Sequence, residues 1–434
     1  MKTEPIFATI VTDSIDEPLV RCTTFRRTCF AAQIVLIATG LFACTQSSTD
    51  NASPPAASAP PATAAAPPPP PPVLPFDQAV LNAANTVFAS APAGSHLVVI
   101  DPLVDGVTGY VSKATESIQG RVTEVVRQQY PRFSIEKFSP ESLNASPLVL
   151  VGTFTPINLQ NQTQGTREAY RFCLVLGDLS SGKVVAKGVA RAELTGVDTT
   201  PTNFYKDSPV WTVDPSTQAY ISTCQATKVG DPISKEFLDG LLGASLITQA
   251  SEAYNSGRYQ DALELYTAAQ KTPAGDQLKV YNGLYLTRWK LHQNTQAASA
   301  FGDLVSYGFK RNRLAVKFLF EPGSTRFYQD PQVSGQYELW LQQIAQQAAK
   351  SGNCVEVTGH TSPTGSAALN ERLSFLRADY VKTRLQRDTP QLHDHLVTNG
   401  VGSSATLVGT GKDDASDALD RRVELKPIAS CTTS

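Results

Sequence analysis

Arg377 and Asn370 stand seven residues apart in the segment Val357 to Val381, which reads V-T-G-H-T-S-P-T-G-S-A-A-L-N-E-R-L-S-F-L-R-A-D-Y-V. Seven residues is about two helical turns, so the two side chains share one helix face. A guanidinium is a rigid planar fork suited to gripping a carboxylate at two points. Just upstream, Thr361 and Ser362 offer hydroxyls in a Pro- and Gly-containing turn. That is chemistry for holding a ligand. Covalent catalysis would need other residues, and the chain has no G-x-S-x-G elbow and no H-E-x-x-H. His393 and His395 flank one Asp without a third ligand, and Gly409-Thr-Gly-Lys412 lacks the spacing and hydroxyl of a phosphate loop. The expectation is a binding protein, not an enzyme, with no metal and no cofactor.

The elements that must position these residues are legible nearby. Cys354 to Thr358 alternates β-branched and polar residues and predicts a strand. A turn cluster follows at Thr361 to Gly365, then an amphipathic helix with apolar positions Leu369, Leu373, Leu376, Tyr380 and Val381. A strand feeding a helix through such a loop brings loop and first-turn side chains to one edge of a sheet, where ligands collect.

Three motifs fall in order: G-H-T-x-x-x-G at 359–365, N-x-x-L-S-x-x-R-A at 370–378 and D-R-R-V-E at 420–424. Together they resemble the OmpA-like peptidoglycan-binding domain of outer-membrane proteins, lipoproteins and motor stators, over about residues 311 to 431. The resemblance implies an α/β domain with a mixed sheet that binds the peptidoglycan stem peptide, whose diaminopimelate carries carboxylates beside a free ammonium. It gives Arg377 the carboxylate, Asn370 the peptide backbone, and Thr361, Ser362 and Leu373 places around them. Arg421 and Arg422 open the last strand, Val423 to Ile428. Because successive strand residues face opposite ways, one of the two approaches the site while the other braces the fold. The sequence departs from the family at Ser362, where members carry the Asp that meets the ammonium.

The chain has 434 residues, enough for two or three domains, with 37 basic and 39 acidic side chains. That balance argues against nucleic acid as a partner. Near the start, Arg21, Arg26 and Arg27 precede an apolar run from Phe30 to Phe42, too short to span a bilayer and suited to a signal peptide. The run ends Leu41-Phe42-Ala43-Cys44, which looks like a lipobox with Cys44 as the lipidated residue. Thr45 after it favours outer-membrane sorting, by resemblance to enteric lipoproteins. Residues 45–75 are rich in Ser, Ala and Pro and are read as a disordered tether; at about 3.1 Å per residue it reaches on the order of 95 Å.

From 76 to 238 the pattern is mixed α/β: strands at His96 to Ile100, Phe133 to Phe138 and Leu148 to Thr153, then a hairpin of Ala169 to Gly177 and Lys183 to Ala192. The segment L-V-L-G-D-L-S-S-G-K-V-V-A at 174–186 weakly resembles periplasmic α/β domains of the FlgO, CsgG and TolB type. From 244 to 309 the pattern is helical, with Ala253, Tyr254, Gly257, Tyr259, Ala262, Leu263, Tyr266 and Ala269 matching a tetratricopeptide-like repeat and a degenerate copy from Gly283. It reads either as a peptide-binding groove or as a structural spacer. Beyond Cys44 the chain holds Cys173, Cys224, Cys354 and Cys431. Four cysteines in an exported chain allow three pairings; Cys173 with Cys224 and Cys354 with Cys431 keeps each pair inside one expected domain.

The sequence therefore predicts a multidomain protein: an N-terminal α/β domain, short helical hairpins and a C-terminal OmpA-like domain. Its expected role is that of an outer-membrane lipoprotein on the periplasmic face, with peptidoglycan, the membrane and other envelope proteins as partners. The alternative is a scaffold or assembly factor of an envelope complex, secretory or flagellar, whose wall binding is lost or altered.

Overall fold

A computed structural model describes residues 71–163, 167–321, 323–411 and 415–431. The signal segment, Cys44 and the tether up to residue 70 lie outside the described residues.

Every residue of Leu148–Ile157 is buried, the signature of a strand covered on both faces. It is the middle of a mixed sheet that runs Val73–Leu74, Lys183–Ala192, Ala169–Asp178, Leu148–Ile157, His96–Ile100, Phe133–Glu136, with Val104–Asp105 also beside Leu148–Ile157. His96–Ile100 is parallel to both of its neighbours, whereas Leu148–Ile157, Ala169–Asp178 and Lys183–Ala192 form an antiparallel meander. The hairpin turn after Asp178 is held by the carboxylate of that residue, which accepts from the Ser180 N–H and from both serine hydroxyls. Helices Phe76–Ser90 and Lys113–Gln129 supply Val87, Phe88, Ile118 and Val122 to the core on one face. On the other, Pro215–Gln225 and the start of Lys235–Asn255 bring Tyr220, Phe237 and Leu241. Gly188 permits the tightest approach, since a Cβ there would lie 2.3 Å from the Ala83 carbonyl oxygen. Val73 and Leu74, placed in the tether by composition, instead add an edge strand that pairs with Arg191 and Ala192.

Four helices follow, Lys235–Asn255, Tyr259–Gln270, Leu278–Lys290 and Asn294–Lys310, each packed on the next. Small residues sit where they cross: Ala253, Ala262, Ala269 and Ala297 are fully buried, and a Cβ on Gly283 would meet the Tyr266 ring at 2.4 Å. These helices do not close a core of their own. One apolar cluster runs from Tyr254 and Tyr266 through Phe301 into Trp340, Phe318 and Val355. Phe301 stacks on Trp340 with centroids 5.7 Å apart, and the Trp340 indole N–H donates to the Tyr285 hydroxyl at 2.6 Å.

The C-terminal sheet runs Leu396–Gly400, Cys354–Gly359, Val423–Ile428, Leu314–Val316, Val210–Trp211. Cys354–Gly359 is parallel to the first of these and antiparallel to Val423–Ile428. Its outermost strand comes from before the four helices, so a segment expected within residues 76–238 completes this sheet. Trp211 fastens it in both directions: its indole N–H donates to the Thr108 carbonyl at 3.0 Å, and the Arg313 guanidinium lies 5.0 Å from its ring. Disulfides join Cys173 to Cys224 and Cys354 to Cys431. Among the described residues no helix is long and apolar enough to cross a membrane.

Candidate functional site

The helix Ala367–Asp388 lies directly on two strand ends because both present glycine. A Cβ on Gly359 would fall 2.0 Å from the Ser374 carbonyl oxygen, and one on Gly400 would fall 2.4 Å from the Phe375 nitrogen. So close a floor selects small and polar side chains. The helix buries Asn370, Ser374, Arg377, Ala378, Val381 and Leu385. The apolar stripe read from the sequence is therefore not the buried face as a whole: Leu369 is 58% exposed and Leu376 41%.

The turn between strand and helix is held from three sides. The Thr361 N–H donates to the Gly402 carbonyl at 2.9 Å, and the Gly402 N–H donates to the Ser374 hydroxyl at 2.9 Å. The Ser366 hydroxyl caps the helix by accepting from the Leu369 N–H. From inside the helix, the Asn370 amide donates to the carbonyls of Ser362 at 3.4 Å and Thr364 at 3.1 Å. The amide of Asn370 thus shapes the turn. Ser362 is buried within it, and the buried Thr361 hydroxyl has no hydrogen-bond partner.

Two turns along the same face, Arg377 is 7% exposed and its guanidinium is oriented by another loop. Nε donates to the Ser324 carbonyl at 3.1 Å, Nη2 donates to the Glu321 carbonyl at 3.4 Å, and the Phe320 ring lies 4.8 Å from the guanidinium carbon. Carbonyl acceptors and an aromatic face fix the plane of the fork. A guanidinium has five N–H donors, so an oriented arginine can hold carbonyls along one edge and meet a carboxylate with another. Leu373, half-buried, is one turn before it.

The adjacent arginines of the last motif divide. Arg422 braces: its guanidinium bonds Glu424 at 2.7–2.8 Å and the carbonyls of Ala405 and Leu419 at 3.3 Å. Arg313 grips the same carboxylate at 2.7 Å. Burial alone would raise the Glu424 carboxyl, but the Arg313 hydrogen bond and the Arg422 charge overcome it and hold the group at about 2. His360, 6% exposed, is pushed down to about 3 by burial and then by Arg422, so the imidazole is neutral and its 3.6 Å approach to Glu424 is not an ion pair. Arg421 lines a cavity of about 610 Å³ where the α/β domain, the helices and the C-terminal domain meet; none of Thr361, Ser362, Asn370, Leu373 and Arg377 is in its walls.

Sequence reading missed the 320–324 loop that orients Arg377, because carbonyl acceptors leave no trace in residue type. It also missed Asp420, whose carboxylate accepts from the N–H groups of Leu407, Val408 and Gly409 and so shapes the loop before the last strand. The Asp of D-R-R-V-E was the available signal.

No family model matches the chain, and no curated protein does. Solved structures do. The peptidoglycan-associated lipoprotein of Burkholderia pseudomallei is 26% identical, with 26% of this chain and 87% of that one covered and a TM-score of 0.22. The C-terminal part of the chain resembles OmpA-like domains. An outer-membrane protein of Borrelia burgdorferi is 23% identical over 27% of this chain and 88% of its own, with a TM-score of 0.21. The cell wall anchor of the type VI secretion system of Pseudomonas aeruginosa is 23% identical over 27% and 81%, with a TM-score of 0.23.

Proposed function

We propose that this OmpA-like domain holds the peptidoglycan stem peptide non-covalently and that Cys44 anchors the chain, through its tether, to the outer membrane. The observation that carries the reading is Arg377: a buried guanidinium oriented by the Ser324 and Glu321 carbonyls and the Phe320 ring, on the same helix face as the Asn370 that shapes the 361–364 turn. In this arrangement Arg377 takes a ligand carboxylate and the turn faces the neighbouring ammonium. Thr361, Asn370 and Leu373 set the walls; Arg422 acts only through the fold, and Arg421 faces another cavity. The helices between the two sheets serve as a spacer that shares its core with the C-terminal domain.

Ser362 favours a second reading, in which the domain docks an envelope assembly without gripping the wall, because a hydroxyl supplies no charge for the ammonium. Sedimentation of the chain from residue 71 with isolated sacculi separates the two. Co-sedimentation that is lost in Arg377→Ala supports wall binding; a protein that stays in solution under conditions where a known wall binder pellets supports the scaffold. For the anchor, Cys44→Ala is expected to abolish labelling by a palmitate analogue and remove the protein from outer-membrane fractions.

A further inference from the structure

A second cavity, of about 480 Å³, opens beyond the carboxyl end of His96–Ile100, and its walls include no residue of the site described above. The carboxyl ends of strands are where open α/β sheets collect ligands, and the volume is in the range of small-molecule sites.

Two opposite charges line this cavity from different parts of the fold. Asp101, the residue after the strand, is 6% exposed; Lys279, half-buried, comes from the helix Leu278–Lys290. Burial pushes the Asp101 carboxyl up to about 7, and the charge of Lys279 partly opposes this. Burial alone would lower the Lys279 amine, but Tyr205, Asp101 and Asp214 together hold it above its ordinary value. The two groups therefore act on each other, yet no ion pair within 4.0 Å joins them. Asp101 is not sealed: among the described residues no hydrogen bond reaches its carboxylate, and its oxygens keep surface, unlike the Thr202 hydroxyl in the same wall, which is closed off.

The rest of the wall is mostly polar. Gln119, Thr123 and Thr248 offer amide and hydroxyl groups beside Val104, Phe237 and Ile247. Glu116, Arg127, Glu236 and Glu252 also line the cavity but are exposed, and Glu116 and Glu252 already pair with Lys113 and Lys137. The charges held inside are those of Asp101 and Lys279.

We propose that this cavity binds a free α-amino acid with a neutral side chain, its ammonium on the Asp101 carboxylate and its carboxylate on the Lys279 ammonium. A simple amine would meet Asp101 but be repelled by Lys279, and a simple acid would meet the reverse. A zwitterion bridges the gap between the two and brings no net charge into a desolvated site. Its ammonium has donors and no acceptor, and its carboxylate has acceptors and no donor, so each end fits one of the two groups only. Amides, hydroxyls and apolar groups side by side suit a neutral side chain. This site is independent of wall binding.

Calorimetric titration of the full chain at pH 8, where Asp101 is ionised, with L-alanine, L-serine, L-leucine and L-glutamine tests it. At least one of the four is expected to bind. The amine that lacks its carboxylate and the acid that lacks its ammonium, for leucine 3-methylbutan-1-amine and 4-methylpentanoate, should each bind at least tenfold more weakly. Asp101→Asn and Lys279→Gln should each weaken the amino acid at least tenfold, with circular dichroism checking that they are folded; if neither variant folds, the two analogues decide the matter. No heat with any of the four, an analogue that binds as well as its parent amino acid, or parent-like binding by folded Asp101→Asn or Lys279→Gln would overturn the assignment.

Discussion

Asn370 donates its side-chain amide to the Thr364 carbonyl at 3.1 Å, and so ties the turn that carries Ser362 to the helix that carries Arg377. The two halves of the proposed site are thereby set before any ligand arrives, by a residue that itself spends its donors on the protein.

Removing that tie tests it. Asn370→Ala leaves the Ser362 and Thr364 carbonyls without this donor, and a net hydrogen bond is worth about 0.5–1.5 kcal/mol. The variant is expected to lose about 1–2 kcal/mol of stability in urea unfolding. It should also bind stem peptide more weakly at temperatures where it remains fully folded.

The departure at Ser362 gives the opposite sign. With Asp at this position a charge-assisted bond of about 1.5–3 kcal/mol replaces a neutral one worth about half. Calorimetry with a diaminopimelate stem peptide should then show a gain of roughly tenfold. Arg377→Ala should abolish binding in both backgrounds, since the ligand carboxylate would lose its partner. Unchanged affinity in Ser362→Asp would show that the turn does not face the ligand.

His360 predicts an acid weakness. Arg422, Glu424 and Arg313 are the charged groups acting on it, and its folded pKa of about 3 lies below the ordinary 6.5. The unfolded chain therefore takes up a proton below pH 6.5 that the folded chain refuses, and stability falls as pH drops from 6.5 toward 3. The slope from this one group approaches about 1.4 kcal/mol per pH unit. Glu424, held at about 2, adds a loss of the same sign below pH 4.5. Asp101, raised to about 7, acts in the opposite sense between 3.8 and 7, so the readout is a difference. Urea unfolding at pH 7.5 and 5 should show a smaller acid loss in His360→Gln than in the parent chain.

The Cys354–Cys431 bridge spans 77 residues and ties the strand beneath the site to the segment that follows Val423–Ile428. By loop-closure entropy, replacing both cysteines with Ser should cost about 4–5 kcal/mol. Differential unfolding under non-reducing conditions measures it, and an unchanged midpoint would mean that the unfolded chain is already constrained there.

The local pieces are legible in one dimension: the strand and turn from Cys354 and the helix that carries Leu369 to Val381, the hairpin about Asp178 to Gly182, the helical character of residues 244–309 and the motifs carrying Arg377 and Arg422. Those signals are short-range, set by alternation, turn chemistry and helical period, and they survive in one dimension. What lies opposite each piece is set by packing in three dimensions. The period of Leu369, Leu373 and Leu376 announces an amphipathic helix, but Gly359 and Gly400 bring the backbone so near that Asn370 and Ser374 face inward and two of those leucines are left in solvent. Val73–Leu74 and Val210–Trp211 are too short to show a period at all and become strands only because a sheet edge was waiting for them. The loop that aims Arg377 does so through backbone carbonyls, which every residue has, so no choice of side chain could have marked it.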